Sequence, residues 1–224
     1  MDKETLKTNY QSVKARIDAL SGEKPVTLLL ATKMQSVEDI NFLISQGATT
    51  IGENRVNELL EKYEGYDKRA SIHFIGTLQK NKVKYICDKV DLIHSVDSLS
   101  LAMEIDKRCE KIGKVMDILV EINSGKEENK GGIMPEQAEE FCSSLSSLKS
   151  IRVRGLMTMA PRCQSKEEYK KYFSLTKSLF DKIFKNDKNA ILSMGMSESY
   201  EAATEAGATL VRVGSAIFGE RKYY

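Results

Sequence analysis

The 224-residue sequence contains no tryptophan, only three prolines and only two histidines, His73 and His94. Its cysteines are Cys87, Cys109, Cys142 and Cys163. They form no C-x-x-C pair and do not stand at zinc-ligand spacing beside either histidine, so the common zinc motifs are excluded. We interpret the cysteines as buried or half-buried thiols of a reducing compartment.

Long apolar runs are also missing, and no stretch approaches the roughly 20 residues that a membrane span needs. The first 20 residues, MDKETLKTNYQSVKARIDAL, are charged and helical in pattern, unlike a signal peptide. Lys plus Arg number 34 and Asp plus Glu number 32, a net charge of +2. This balance is too small to predict a nucleic-acid partner. We therefore expect a cytoplasmic protein that binds neither membrane nor nucleic acid.

The pattern of apolar residues predicts an α/β fold over residues 1–224 as one domain. Leu6, Tyr10, Val13, Ile17 and Leu20 form one apolar stripe on a first helix. After it, short apolar runs alternate with helical segments eight times, which indicates a (β/α)8 barrel with an additional N-terminal helix. An open, doubly wound sheet is the alternative. The predicted strands are 26–32, 48–51, 72–75, 90–93, 115–122, 151–157, 191–193 and 209–213.

Helical segments are predicted between these strands. Ser36 begins the first with a capping pattern completed by Asp39, and Gly47, Gly113 and Gly207 each end a helix just before a strand. The predicted helices between or after the strands are 36–47, 54–63, 79–87, 98–112, 135–148, 166–184, 197–207 and 215–218.

In such a barrel, the reacting groups lie at the carboxyl ends of the strands. Polar or otherwise distinctive side chains follow almost every predicted strand, and these residues are therefore the candidates for a site. They include Lys33, Asn54, His73, Met157, Ser193, Ser197, Arg212, Gly214 and Ser215.

The last two strand ends predict a phosphate site. Gly195 and Gly214 allow backbone to approach a ligand closely, while Ser197 and Ser215 supply hydroxyl groups. Backbone amides at the start of the following turns would point at an anion, where the helix dipole favours negative charge. The alternative is that these glycines only form tight turns.

Lys33 follows an apolar strand and should project into the barrel mouth, where partial desolvation makes a lysine nucleophilic towards an aldehyde. An ordinary surface lysine is the alternative. Arg212 should point into the same mouth, either towards the ring nitrogen of a pyridine ligand or into a salt bridge. His73 and His94 are more typical of hydrogen-bonded packing residues than of acids or bases. A lysine beside a phosphate site indicates pyridoxal phosphate or a phosphorylated sugar.

Several segments, taken in order, resemble the pyridoxal phosphate homeostasis protein family. They are LLLATK, IGENRVNELLEKY, IHFIGTLQKNKVKYI, RGLMTMAP, LSMGMSESYEAA and VRVGSAIFGER. The resemblance runs from about Val26 to Arg221. It implies a barrel like the N-terminal domain of alanine racemase and a pyridoxal 5′-phosphate (PLP) cofactor held as an internal aldimine on Lys33.

The resemblance also assigns roles to the other candidates. It implies phosphate contacts from Ser197, Gly214 and Ser215, and a pyridine nitrogen facing Arg212. The side chains that it implies along the cofactor are Asn54, His73 and Met157, with Ser193 as a further candidate. One departure lies beside Lys33, where Met34-Gln35-Ser36 replaces the Thr-Lys-Pro usual in the family.

The function implied is that of a carrier or regulator of the vitamin B6 pool, without a dedicated turnover reaction. Such a protein would transfer PLP slowly to apo-enzymes and would be a monomer or a weak homodimer. A weak amino-acid racemase is the alternative, but its second acid or base usually comes from another domain, and this sequence ends nine residues after Ser215. A Schiff-base aldolase acting on a sugar phosphate is a third interpretation.

Overall fold

The computed structural model describes residues 1–127 and 129–219, and its centre is a closed barrel of eight parallel strands. The strands pair in chain order, and β8 closes the barrel against β1. This confirms the predicted (β/α)8 barrel and excludes the open sheet. The strands are β1 (Thr27–Ala31), β2 (Thr50–Glu53), β3 (Ser71–Phe74), β4 (Leu92–Val96), β5 (Met116–Ile122), β6 (Ile151–Thr158), β7 (Ile191–Ser193) and β8 (Leu210–Val213).

Helices surround the barrel. The predicted N-terminal helix forms and buries Leu6, Tyr10, Val13 and Ile17, while Leu20 is half-buried. Together the helices are α1 (Lys3–Ser21), α2 (Val37–Ser45), α3 (Val56–Lys62), α4 (Leu99–Lys111), α5 (Ala138–Ser144), α6 (Lys166–Ile183), α7 (Tyr200–Glu205) and α8 (Ser215–Phe218). None of the helices within the described ranges is both long and apolar enough to cross a bilayer.

Several boundaries differ from the sequence prediction. The segment predicted as a helix over 79–87 is a 3₁₀ helix, Lys80–Tyr85, whose first residue receives no side-chain cap. Strand β4 is displaced towards the carboxyl end and contains a register shift between Ile93 and Val96. Strand β2 extends two residues further than predicted and includes Gly52 and Glu53. The last two residues of the VRVGSAIFGER segment lie outside the described part of the chain.

Alternation along the strands separates two apolar compartments. Leu28 and Leu30 pack into the large core between the sheet and the helices, whereas Leu29 faces the barrel interior. The interior contains two smaller clusters, and Ile191 packs against both. These clusters consist of Leu29, Ile75 and Leu210 in one and Leu92, Leu119 and Met157 in the other. Interior positions one step further along the strands carry the polar side chains described next.

Candidate functional site

Lys33 lies at the corner of a tight turn that follows β1. The amide of Gln35 donates to the carbonyl of Thr32 at 3.0 Å, which closes a four-residue turn with Lys33 and Met34 at its centre. Lys33 is half-buried, while Met34 is exposed and adopts a φ of 63°, an unusual conformation for a residue with a side chain. The turn therefore holds the lysine at the end of β1.

Ser197 and the start of α8 form a small cradle with converging backbone amides. The amides of Gly214 and Ala216 both donate to Ser197 Oγ, at 3.1 and 3.3 Å. Ser215, between them, is exposed. Two amides that converge on one oxygen at the end of a barrel strand can donate hydrogen bonds to an anion in the same geometry. Of the predicted phosphate contacts, the structure thus brings Ser197, Gly214 and Ser215 together.

The cradle lies beside the strand that leads to Lys33. Strands β1 and β8 are paired, and a Cβ added at Gly214 would lie 3.1 Å from the carbonyl oxygen of Ala31. A side chain at position 214 would therefore crowd the end of β1, whereas glycine leaves the two strand ends in close contact. Gly195 adopts a φ of 89°, and a Cβ there would lie 2.4 Å from Ala203 Cβ. Close packing at both positions, together with the left-handed φ of Gly195, therefore favours glycine there.

Four polar side chains form a continuous chain across the barrel interior. Arg212 Nη1 donates to Ser193 Oγ at 2.6 Å, and the same hydroxyl lies 3.0 Å from His94 Nδ1. His94 Nε2 lies 3.0 Å from His73 Nδ1. Arg212 Nη2 also donates to the carbonyl of Thr158 at 3.0 Å. Ser193 is completely buried, so its contacts in this chain orient the guanidinium group of Arg212.

Burial controls the charge of the titratable side chains in this hydrogen-bonded series. It lowers the pKa of His73 to about 4 and holds the pKa of His94 well below its ordinary value, so both rings are neutral at physiological pH. Burial also lowers the pKa of Arg212 to about 10, against the opposing effect of Glu121. Arg212 therefore remains a buried cation held by neutral partners, and both histidines are hydrogen-bonded inside the barrel.

Met157 and Asn54 differ in burial. Met157 is 1% exposed and packs with Leu92 and Leu119 inside the barrel. Asn54 is half-buried after β2, and its backbone carbonyl is so close to Gly76 that a Cβ there would lie 2.0 Å from the oxygen. Asn54 also borders an outer groove of about 660 Å³ beside α3.

The sequence reasoning missed an acidic group in the barrel interior. Glu121 lies two residues after Leu119, on the same inward face of β5, and is 8% exposed. Burial, reinforced by Asp97, raises the pKa of Glu121 to about 7, while Arg212 lowers it. Its position inside the apolar run 115–122, where we interpreted it only as part of a strand, concealed it.

The sequence reasoning also missed a buried ion-pair cluster behind Lys33. Glu53 is completely buried at the end of β2, and its Oε1 accepts from Thr32 Oγ1 at 2.7 Å, Tyr66 Oη at 2.7 Å and Lys62 Nζ at 3.2 Å. Glu53 falls between the predicted strand 48–51 and the predicted helix 54–63, so nothing in the sequence indicates its burial. Among residues 1–127 and 129–219, no group of three or more His, Cys, Asp or Glu side chains could hold a metal ion.

Comparison with known proteins defines the class to which this barrel belongs. The sequence profile of the family described as "Alanine racemase, N-terminal domain" matches residues 1–222. A protein from Bifidobacterium adolescentis whose function is given as unknown superimposes with a TM-score of 0.91 at 32% identity, over 97% of each chain. The barrel is therefore of the alanine racemase N-terminal type.

Two relatives with more specific descriptions narrow the assignment. A pyridoxal phosphate homeostasis protein of Aquifex aeolicus is 45% identical over 205 residues, which are 90% of each chain. The structure of PipY from Synechococcus elongatus with PLP bound has a TM-score of 0.79 at 28% identity, covering 92% of this chain and all of PipY. The chain belongs to the pyridoxal phosphate homeostasis protein family.

Proposed function

We propose that this chain binds PLP as a Schiff base on Lys33 and takes part in maintaining the cellular supply of the cofactor. The observation that carries the proposal is the placement of a half-buried lysine beside a cradle of backbone amides, at the paired ends of β1 and β8. An amine and an anion site at neighbouring strand ends suit the aldehyde and the phosphate of one small molecule. The name of the Aquifex relative and the bound PLP in PipY support the same ligand.

The phosphate would be held by the cradle. The amides of Gly214 and Ala216 and the hydroxyl groups of Ser197 and Ser215 supply neutral donors, and the helix dipole of the turn adds partial positive charge. Exposure of Ser215 leaves the cradle accessible from the barrel mouth. This donor set suits a phosphate dianion that must leave again, since it contains no fixed cation.

The pyridine ring of PLP would lie against the hydrogen-bonded side chains in the barrel interior. Arg212 carries a permanent charge at neutral pH, so a pyridine nitrogen facing it would remain unprotonated, and the ring would be a weak electron sink. Met157 supplies an apolar contact, and Asn54 and His73 would complete the walls. An unprotonated ring favours storage of the cofactor over chemistry on an amino acid, and PLP itself supplies the aldehyde that the lysine captures.

We place this function in the cytoplasm, with apo-enzymes that require PLP as the recipients and the protein as a monomer or weak homodimer. Storage and release need no turnover reaction. A carrier of this kind would bind PLP reversibly and lose it to an apo-enzyme of higher affinity. Racemisation of alanine well above that of free PLP would instead indicate a catalyst.

Borohydride reduction followed by peptide mass spectrometry tests the proposal directly. Wild-type protein incubated with PLP should show absorbance near the visible edge and, after reduction, one pyridoxyl group on Lys33. Lys33→Met should lose both signals, whereas Lys24→Met, a change at an exposed lysine, should keep them. An adduct that persists in Lys33→Met would contradict the assignment, and covalent trapping of a sugar phosphate in place of PLP would favour an aldolase.

A further inference from the structure

Helix α3 contacts both peptide groups that flank Lys33. On the preceding side, Lys62 Nζ donates to the carbonyl of Thr32 at 3.1 Å. On the following side, the amide of Met34 donates to Glu58 Oε1. Lys62 also pairs with Glu58 at 2.5 Å, one helical turn apart. The two side chains therefore form a closed clamp around the turn, and we call Glu58 and Lys62 the clamp pair.

The clamp pair contacts a buried carboxylate. Lys62 Nζ reaches the completely buried carboxylate of Glu53 at 3.2 Å, and Tyr66 Oη donates to the same oxygen. Burial and Glu53 hold the pKa of Tyr66 far above its ordinary value, so its hydroxyl stays a donor. Glu53 Oε2 is buried without a partner among the described residues, which carries a cost in stability. Groups retained at such a cost call for an explanation other than stability.

The turn needs an external constraint. Met34 adopts a left-handed φ of 63°, which is unfavourable for a residue with a Cβ. Strained backbone persists where surrounding contacts fix it, and such positions concentrate at functional sites. The Met34 amide is held by a charged acceptor, and hydrogen bonds to charged groups are the stronger ones. Side chains of Lys62 and Glu58 are only 13% and 15% exposed, so water competes little for these bonds.

We propose that Glu58 and Lys62 are positioning residues for Lys33: by fixing the carbonyl before it and the amide after it, they set the direction in which the lysine amine enters the barrel mouth. This inference rests on the proposed function, because the position of the amine matters only if it captures an aldehyde. Loss of the clamp pair leaves the lysine in place but spreads it over several orientations. Capture of PLP then slows, and release becomes faster.

Three variants and a matched control separate this role from general destabilisation. Glu58→Ala removes the acceptor of the Met34 amide, Lys62→Met removes the donor to Thr32, and Glu58→Gln keeps an acceptor oxygen without the charge. Glu61→Ala changes an exposed glutamate of the same helix. Far-ultraviolet circular dichroism and urea unfolding identify the variants that are folded.

Two readouts are then measured on the folded proteins. The first is hydrogen exchange of the Met34 amide without added PLP, which should accelerate about tenfold or more in Glu58→Ala, as expected for loss of one charge-assisted hydrogen bond. The second is the rate and affinity of PLP capture, followed by absorbance and by the pyridoxyl adduct on Lys33. The rate and the affinity of capture should both fall about tenfold in Glu58→Ala and Lys62→Met and stay unchanged in Glu61→Ala. Glu58→Gln should lose less than Glu58→Ala, because its amide oxygen still accepts a hydrogen bond from Met34.

The outcomes separate the two proposals. If wild-type protein forms the Lys33 adduct and the clamp variants capture PLP at the wild-type rate, the positioning role is wrong and the proposed function stands. If amide exchange of Met34 is also unchanged in Glu58→Ala, the contact itself is absent in solution. If wild-type protein forms no adduct, the proposed function is wrong and the positioning role fails with it.

Discussion

Ser193 Oγ accepts a hydrogen bond from Arg212 Nη1 at 2.6 Å, between neighbouring strands β7 and β8. The same hydroxyl contacts His94, so neutral partners hold the guanidinium group, and no ion pair joins it to a carboxylate within residues 1–127 and 129–219. An ion pair would have neutralised Arg212. The neutral partners instead fix the orientation of the guanidinium group and leave its charge available to a ligand.

Replacement of Arg212 by lysine should destabilise the protein and weaken PLP binding. A lysine ammonium cannot present the planar fork that reaches both Ser193 and the Thr158 carbonyl. We expect a loss of about 2–4 kcal/mol in the free energy of unfolding, since buried polar partners are left unpaired. Urea unfolding measures this. The surface control Arg152→Gln breaks an exposed pair with Asp117 and should cost less than about 1 kcal/mol. Equal losses in the two variants would contradict the buried role.

Ser197→Ala should reduce the preference for PLP over pyridoxal, which lacks the phosphate. The hydroxyl is the group on which the amides of Gly214 and Ala216 converge, and it is also a donor to any anion in the cradle. Loss of one charge-assisted hydrogen bond should lower the affinity ratio about tenfold. Absorbance titrations with both ligands measure the ratio. Ser178→Ala, an exposed serine of α6, is the control, and an unchanged ratio in Ser197→Ala would place the phosphate elsewhere.

The sequence allowed Lys33 and Arg212 to be placed at one end of a barrel because strand alternation and topology alone decide that. It could not reveal the contact between His94 and Ser193, which are 99 residues apart and meet only because the closed barrel brings β4 and β7 face to face. Glu53 was missed for a different reason. A glutamate at a strand end resembles a loop residue, and its burial depends on Lys62 and Tyr66, whose positions follow from the packing of α3.

His73 should make the protein less stable in mild acid. Its pKa is about 4 in the folded state and about 6.5 when unfolded, so the unfolded state binds more protons between these values. The contribution is fully present above about pH 6.5 and declines as the pH falls towards about 4, by up to about 3 kcal/mol. Unfolding of wild type and His73→Gln across this range measures the difference. Parallel curves for the two proteins would show that His73 is not buried as a neutral ring.

Glu121 should make the stability of the protein depend on pH in the opposite direction. Burial and Asp97 raise its pKa from 4.5 to about 7, so the folded state binds more protons than the unfolded state between these values. The contribution of Glu121 to the free energy of unfolding is fully present below about pH 4.5. It is lost as the pH rises through about 7, by up to about 3 kcal/mol relative to Glu121→Gln. The control is Glu136→Gln, at an exposed glutamate, which should follow the wild-type curve through the upper half of this range.

The pH windows of Glu121 and His73 overlap with opposite signs, so their effects on the stability of the wild-type protein offset each other from about pH 4.5 to 6.5. The pKa of His94 is also lowered by burial, so a net loss of stability in acid remains. Glu121→Gln should make the loss of stability in acid steeper, and His73→Gln should make it shallower. Unfolding curves for both single variants and the double variant test this cancellation. If Glu121→Gln parallels wild type from pH 4.5 to 7, the carboxylate is solvated and the interior is more open than the structure shows.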